Sequence, residues 1–213
     1  MTYTLVVGAA PLAESEPFYR DLLAGAGAIV AADAAGEWCV ALGRVPDVAI
    51  GDFDSASQGA VTRLSEAGVQ VVRYPEEKDL TDLELAVAIA RERYNDPIVL
   101  TAAFALRPDH TLAAFGALLR AGEGASVCEP GWTAETCVPG HPLALNMTVG
   151  ATVSVLAVGT ATGVTVEGVR WPLAGAHLDA MSGLGVSNRA VADTVRVSVE
   201  HGMLIVILPE VDT

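Results

Sequence analysis

The chain has 213 residues and is 52% hydrophobic but only 5% aromatic, so its core must be built from Ala, Val, Leu and Ile. That length suits one large domain or two small ones. Acidic residues outnumber basic ones 26 to 12, for a formal charge of -14, which argues against nucleic acid or an anionic membrane as the main partner.

Cys39, Cys128 and Cys137 form no CxxC pair and read as thiols of a reducing, cytoplasmic compartment. Cys128, Cys137 and His141 are too widely spaced to resemble a structural zinc site. The opening MTYTLVVGAAP lacks a basic leader region and reads as a first strand, not a signal peptide. Short apolar runs follow: TLVVGA (4–9), AIVAA (28–32), DVAIG (47–51), VQVVRY (69–74) and PIVLTA (97–102). Between them lie PLAESEPFYRDLLAGAG, SQGAVTRLSEAG, LTDLELAVAIARERY and DHTLAAFGALLRAG, with apolar residues at helical spacing and frequent terminal Gly. This alternation predicts parallel βαβ units, hence a Rossmann-like α/β domain with a mostly parallel sheet over residues 1–125.

After Gly124 the composition shifts to Val, Thr and Gly. TVSVLAV (152–158), GVTVEGV (163–169), TVRVSVE (194–200) and GMLIVIL (202–208) predict short strands, and no helical pattern stands out. Residues 126–213 therefore read as a C-terminal antiparallel β-sandwich domain. The stretch from Leu143 to Val166 carries no charge, but Gly, Asn and Thr interrupt it, so it reads as strands and not as a membrane span.

The acidic residues fall into a pattern on this scheme. Asp33 follows the second strand, and Asp52 and Asp54 of GDFDS follow the third. Asp79 and Asp82 follow the fourth, and Asp109 follows the fifth, just after Arg107. Parallel sheets bind ligands at the carboxyl ends of their strands. In a continued strand Asp52 and Asp54 would face the same way, and two adjacent like charges need a compensating cation. Mg²⁺ prefers carboxylate and phosphate oxygens, and phosphoryl transfer uses such a metal together with Arg. The pattern thus suggests a Mg²⁺–nucleotide site, with Asp52, Asp54 and Asp82 as metal ligands. Single residues have plainer readings. Thr81-Asp82-Leu83-Glu84 fits a capping box, which accounts for Glu84, and Asp82 also suits the helix dipole. Asp109 and His110 fit a helix N-terminus, and Arg107 fits a surface charge.

GDFDS, KDLTDLELA (78–86), RPDHTLA (107–113), GVTVEGVRWPL (163–173), SGLGVSNRA (182–190) and the final VEHGMLIVIL resemble, in order and spacing, the thiamine pyrophosphokinase family. The resemblance implies an α/β domain followed by a β-sandwich. It implies a homodimer with each active site at the interface, between the N-terminal domain of one subunit and the C-terminal domain of the other. It also implies transfer of pyrophosphate from ATP to the thiamine hydroxyl, giving thiamine diphosphate and AMP. By the same resemblance Asp33, Asp52, Asp54, Asp82 and Asp109 surround Mg²⁺ and the phosphates, and Arg107 lies near the phosphates. His110 stands beside them, Lys78 and Asp79 lie at the margin, and Ser187 and Asn188 help hold thiamine. Asp54 or Asp82 is the expected proton acceptor. Trp171 is a candidate ring to stack on the aminopyrimidine, or else packs in the sandwich or dimer interface. The family's Gly-rich GGxxGRxDH segment reads TAAFALRPDH here, Asp33 is followed by Ala34-Ala35-Gly36, and GAAP stands where a Gly pair is frequent. Alternatives are a pyrophosphokinase for another alcohol such as a hydroxymethylpterin, a metal-dependent phosphatase or glycosyltransferase, and a non-catalytic thiamine or nucleotide sensor.

Overall fold

The computed structural model describes residues 2–54, 56–104 and 107–210. Ser55 of GDFDS and Ala105-Leu106 of the TAAFALRPDH segment lie outside the described residues. The chain divides into two compact units, Met1–Pro130 and Gly131–Thr213. The sequence places its change of texture earlier, at 125/126. The division comes later because Ser126–Glu129 forms a strand that pairs parallel with the fifth strand of the first unit.

The first unit alternates strands and helices. In chain order these are β1 (Thr4–Val7), α1 (Glu16–Gly25), β2 (Ala28–Ala32), α2 (Ala35–Ala41), β3 (Val48–Gly51), α3 (Ala60–Glu66), β4 (Gln70–Arg73), α4 (Asp82–Arg93), β5 (Ile98–Thr101), α5 (Pro108–Ala121) and β6 (Ser126–Glu129). Within the unit the strand order is β6-β5-β1-β2-β3-β4, and every one of these pairings is parallel. β1, β2 and β3 are buried at every position, as expected of parallel strands covered on both faces. β4 is partly exposed, as an edge strand is. Helix α4 packs against β1, β2 and β3 and carries the chain back past them to β5, on the far side of β1. Strand order therefore reverses between β1 and β5, and the crevice at such a reversal is where open α/β sheets bind ligands.

Helix α2 has no counterpart in the sequence reading. Its AGEWCVA is one short amphipathic segment between two loops, and it opens on Ala and Gly, which give no helical periodicity.

The second unit contains β7 (Trp132–Cys137), β8 (Leu143–Asn146), β9 (Thr152–Ala157), β10 (Ala161–Glu167), β11 (Leu173–Leu178), a single 3-10 turn (Gly183–Gly185), β12 (Asn188–Arg189), β13 (Thr194–Ser198) and β14 (Leu204–Pro209). β12, β9, β14 and β7 pair antiparallel in that order, and β11, β10, β13 and β8 form a second antiparallel sheet. Between them lies a core of small branched side chains, including Val153, Val155, Val164, Val166, Val195, Val197, Leu204 and Val206. Each such burial contributes about 1.5–3 kcal/mol, which explains how a unit poor in aromatics holds together. The four strands read from the sequence correspond to β9, β10, β13 and β14. The uncharged stretch 143–166 becomes β8, β9 and most of β10, and no helix among the described residues is long and apolar enough to cross a membrane.

Candidate active site at the carboxyl edge of the parallel sheet

Asp33, Asp52 and Asp54 each offer a carboxylate oxygen, and these oxygens all lie within 4.8 Å of one another. The strand ends bring them there, but not by continued strand alternation. β3 stops at Gly51, and Phe53 turns back with φ 61°. The Phe53 side chain packs with Ala49, Leu64 and Val69, and the Asp54 amide donates to Asp52 Oδ1 at 3.1 Å. The two carboxylates thus share a turn held down by a buried aromatic ring. Asp33 also takes a left-handed conformation, φ 48°, and its amide donates to the Ile50 carbonyl at 2.8 Å. Ala102, just past β5, is a third non-glycine residue of this kind, φ 53°. Left-handed backbone disfavours residues with a side chain and persists where surroundings over-determine it, often at functional sites.

Gly51 brings β2, β3 and α4 together. A Cβ there would lie 3.2 Å from the Cα and Cβ of Asp33 and 3.2 Å from Asp82 Oδ1. A side chain there would have to push these aspartates aside by a few tenths of an ångström, so glycine suits their close approach. Asp82 is the first residue of α4, and the helix start is fixed by a full capping box. Thr81 Oγ1 accepts from the Glu84 amide at 3.2 Å, and Glu84 Oε2 accepts from the Thr81 amide at 2.9 Å. Glu84 is accounted for as that cap and also as the partner of Arg120.

Lys78 joins the acidic residues. Its Nζ lies 2.6 Å from Asp52 Oδ2 and 3.1 Å from Asp82 Oδ1, with both lysine and Asp52 largely sheltered from solvent. The hydrogen bond from Lys78, then that from the Asp54 amide, holds the Asp52 carboxyl below the usual carboxylate range. Burial works to lower the Lys78 pKa, but the two carboxylates outweigh it and raise it. Burial, reinforced by the charges of Asp52 and Asp33, raises Asp82 against the opposing pull of Lys78.

The remaining expected residues lie elsewhere on the two units. Arg107 and Asp109 pair with each other at the exposed start of α5, with Nη2 to Oδ2 at 2.6 Å and Nε to Oδ1 at 3.2 Å. The Arg107 hydrogen bond lowers the Asp109 carboxyl to about 2. His110 is exposed beside them, and Asp79 is exposed ahead of α4. In the second unit Ser187 is exposed, with φ 58°, and its amide donates to Ser154 Oγ at 3.0 Å. Asn188 is buried. Its Oδ1 accepts from the Trp171 amide at 3.1 Å, and its Nδ2 donates to the Trp171 carbonyl at 2.7 Å. Asn188 therefore clamps the backbone of Trp171, a residue 56% exposed with the Arg170 guanidinium 5.1 Å from its ring centroid.

Sequence reading missed the Phe53 anchor, the bridging place of Lys78 and a further acidic residue, Glu129. A signal for Glu129 existed. It closes a parallel strand, as Asp33 and Asp52 follow theirs, but the sequence reading assigns residues 126–129 to the β region without naming a strand there.

The arrangement can hold a hard divalent cation at the carboxyl edge of the sheet. A family model described as "Thiamin pyrophosphokinase, catalytic domain" matches residues 19–128, and one described as "Thiamin pyrophosphokinase, vitamin B1 binding domain" matches residues 141–204. The thiamine pyrophosphokinase of Bacillus subtilis (strain 168) is 39% identical over 70 residues. That match spans 33% of this chain and 33% of the relative's length. The fold is similar to crystal structures of thiamin pyrophosphokinases from three sources. For Geobacillus thermodenitrificans the TM-score is 0.81 at 26% identity, covering 100% of this chain and 99% of that one. For Bacillus subtilis it is 0.79 at 24% identity, covering 97% and 98%. For the yeast protein it is 0.77 at 14% identity, covering 98% and 86%.

Proposed function

Because the chain belongs to the thiamin pyrophosphokinase family, we propose that it transfers the pyrophosphoryl group of ATP to the hydroxyl of thiamine, giving thiamine diphosphate and AMP. The observation that carries this reading is the gathering of Asp33, Asp52 and Asp54 at one sheet edge, in a chain matched by both domains of the family. The donor set fits Mg²⁺, which takes hard carboxylate oxygens and leaves room for phosphate. Bound there, Mg²⁺ would neutralise the charge that develops on the phosphates.

The chain's own groups do the rest. Lys78 keeps Asp52 ionised and fixes its orientation against Asp82. The thiamine hydroxyl attacks the β-phosphorus, the bond to the α-phosphate oxygen breaks, and AMP leaves. Asp54 or Asp82 takes the hydroxyl proton. Arg107 presents a planar guanidinium suited to phosphate oxygens once it releases Asp109. His110, in the first turn of α5, and Asp79, ahead of α4, are exposed and stand at the margin of this reading. On the second unit, exposed Ser187 contacts thiamine, while Asn188 acts through Trp171 by holding its backbone. The cationic thiazolium suits an acidic surround. A homodimer belongs to this reading, supported by exposed apolar side chains such as Trp171, Met181 and Leu184. Sedimentation at twice the mass of the 21.9 kDa chain checks it.

The acceptor is tested by offering thiamine and a hydroxymethylpterin separately, with Mg²⁺ and ATP, and following AMP. Thiamine should release AMP and the pterin should not. AMP release with the pterin alone would move the protein to another acceptor.

A further inference from the structure

Glu129, the last residue of β6, is 3% exposed and takes no part in the acidic cluster. Its carboxylate accepts from the Ala103 amide at 3.1 Å and from the Tyr19 hydroxyl at 3.0 Å, and the Ala102 amide also donates to it. Tyr19 lies on α1, 1% exposed, and its hydroxyl accepts in turn from the Leu12 amide at 3.0 Å. One carboxylate thus ties together the loop after β1, through Leu12, and the segment after β5, through Ala102 and Ala103. These two segments flank the reversal of strand order between β1 and β5, where an α/β sheet takes its ligand.

The same place is tightly built in other ways. Ala102 is held in the left-handed region. Gly8 lies so close that a Cβ would sit 2.6 Å from the Ala102 carbonyl oxygen and 2.8 Å from Ala103 Cβ. The Ala10 amide donates to the Ala102 carbonyl at 2.8 Å. A buried carboxyl is costly unless its oxygens are satisfied. Here its donors are a phenol and backbone amides of the segments it joins. Burial raises the Tyr19 pKa, which keeps the phenol a donor; burial also raises Glu129, against the opposing hydrogen bonds from Ala103, Tyr19 and Ala102 that favour its charged form.

We propose that Glu129, acting through Tyr19, is a positioning residue that sets the spacing of the loop after β1, at Leu12, and of Ala102–Ala103 just past β5, to receive ATP. This rests on the function proposed above.

The test is direct ATP binding by calorimetry, with KM and kcat measured alongside, on wild type, Tyr19→Phe, Glu129→Ala and Glu129→Gln. Tyr19→Phe, which loses the bond to Glu129 and the acceptor of the Leu12 amide, and Glu129→Ala, which loses the acceptor of Tyr19, Ala102 and Ala103, should each weaken ATP binding about tenfold or more. The KM for thiamine should stay unchanged, and kcat should fall less than the KM for ATP rises. Glu129→Gln keeps the shape and an acceptor for the Ala103 amide, and should restore most of the affinity. Unchanged ATP affinity in folded Tyr19→Phe overturns the proposal while leaving the proposed function standing. Equal rises in the KM values for ATP and thiamine also overturn it, since a general loss of structure would give them. Should Glu129→Ala not fold, Tyr19→Phe and Glu129→Gln decide alone. A wild-type protein that does not bind ATP overturns both readings.

Discussion

Phe53 shows how two like charges come to share one corner. A strand that continued through GDFDS would set Asp52 and Asp54 side by side on one face. Instead the chain turns at Phe53, at the cost of a left-handed conformation of about 1–2 kcal/mol for a residue with a side chain, and burial of the ring offsets that cost. The types of residue were legible in the sequence because the constellation is repeated: Asp33, Asp52, Asp54 and Asp82 each follow or open an element at the same edge. The turn was not legible, because no glycine marks its left-handed position. Nor was the place of Lys78 between Asp52 and Asp82, because that contact joins residues 26 apart in sequence. Asp52 carries the residue-scale prediction. Asp52→Asn preserves shape and the hydrogen bond from the Asp54 amide but removes the charge that Lys78 faces and that the proposed cation would face. Turnover should fall about 100-fold or more, with the circular dichroism spectrum unchanged. An unfolded variant would instead assign Asp52 to stability.

At the scale of elements, α4 does two jobs. Its body packs on three buried strands and returns the chain to β5, and its first residue, Asp82, faces the site. The capping box sets where that first residue falls, so Thr81 influences both. Thr81→Ala removes the side-chain acceptor of the Glu84 amide and should destabilise the protein by about 1 kcal/mol, read as a lower denaturation midpoint in urea. A midpoint equal to wild type would mean that tertiary packing alone fixes the helix start. This element was fully legible, since Thr and Glu three apart ahead of an apolar run are a local signal. Helix α2 and strand β6 were not. α2 is too short for its period to stand out, and it is stabilised by its contacts with β2 and β3. β6 was hidden by its neighbours: its SVCE matches the Val-rich texture that follows, and only parallel pairing with β5 assigns it to the first unit. Glu129 was lost with it, because an acidic strand end points to the site only when the strand is known to be parallel.

For the whole molecule, fold class followed from two contrasting textures, strand–helix alternation and then Val-rich alternation, and both units have the expected architecture. The acidic balance of -14 suits the proposed ligands, whose phosphates would reach the carboxylates through Mg²⁺ and whose thiazolium is itself a cation. Reaction class remains the central claim, and one incubation tests it most directly. Purified protein is given Mg²⁺, ATP and thiamine, and all phosphorylated products are quantified together. The account predicts AMP and thiamine diphosphate in equal amounts. ADP with thiamine monophosphate would contradict it, because attack would then be at the γ-phosphorus and the protein a simple kinase.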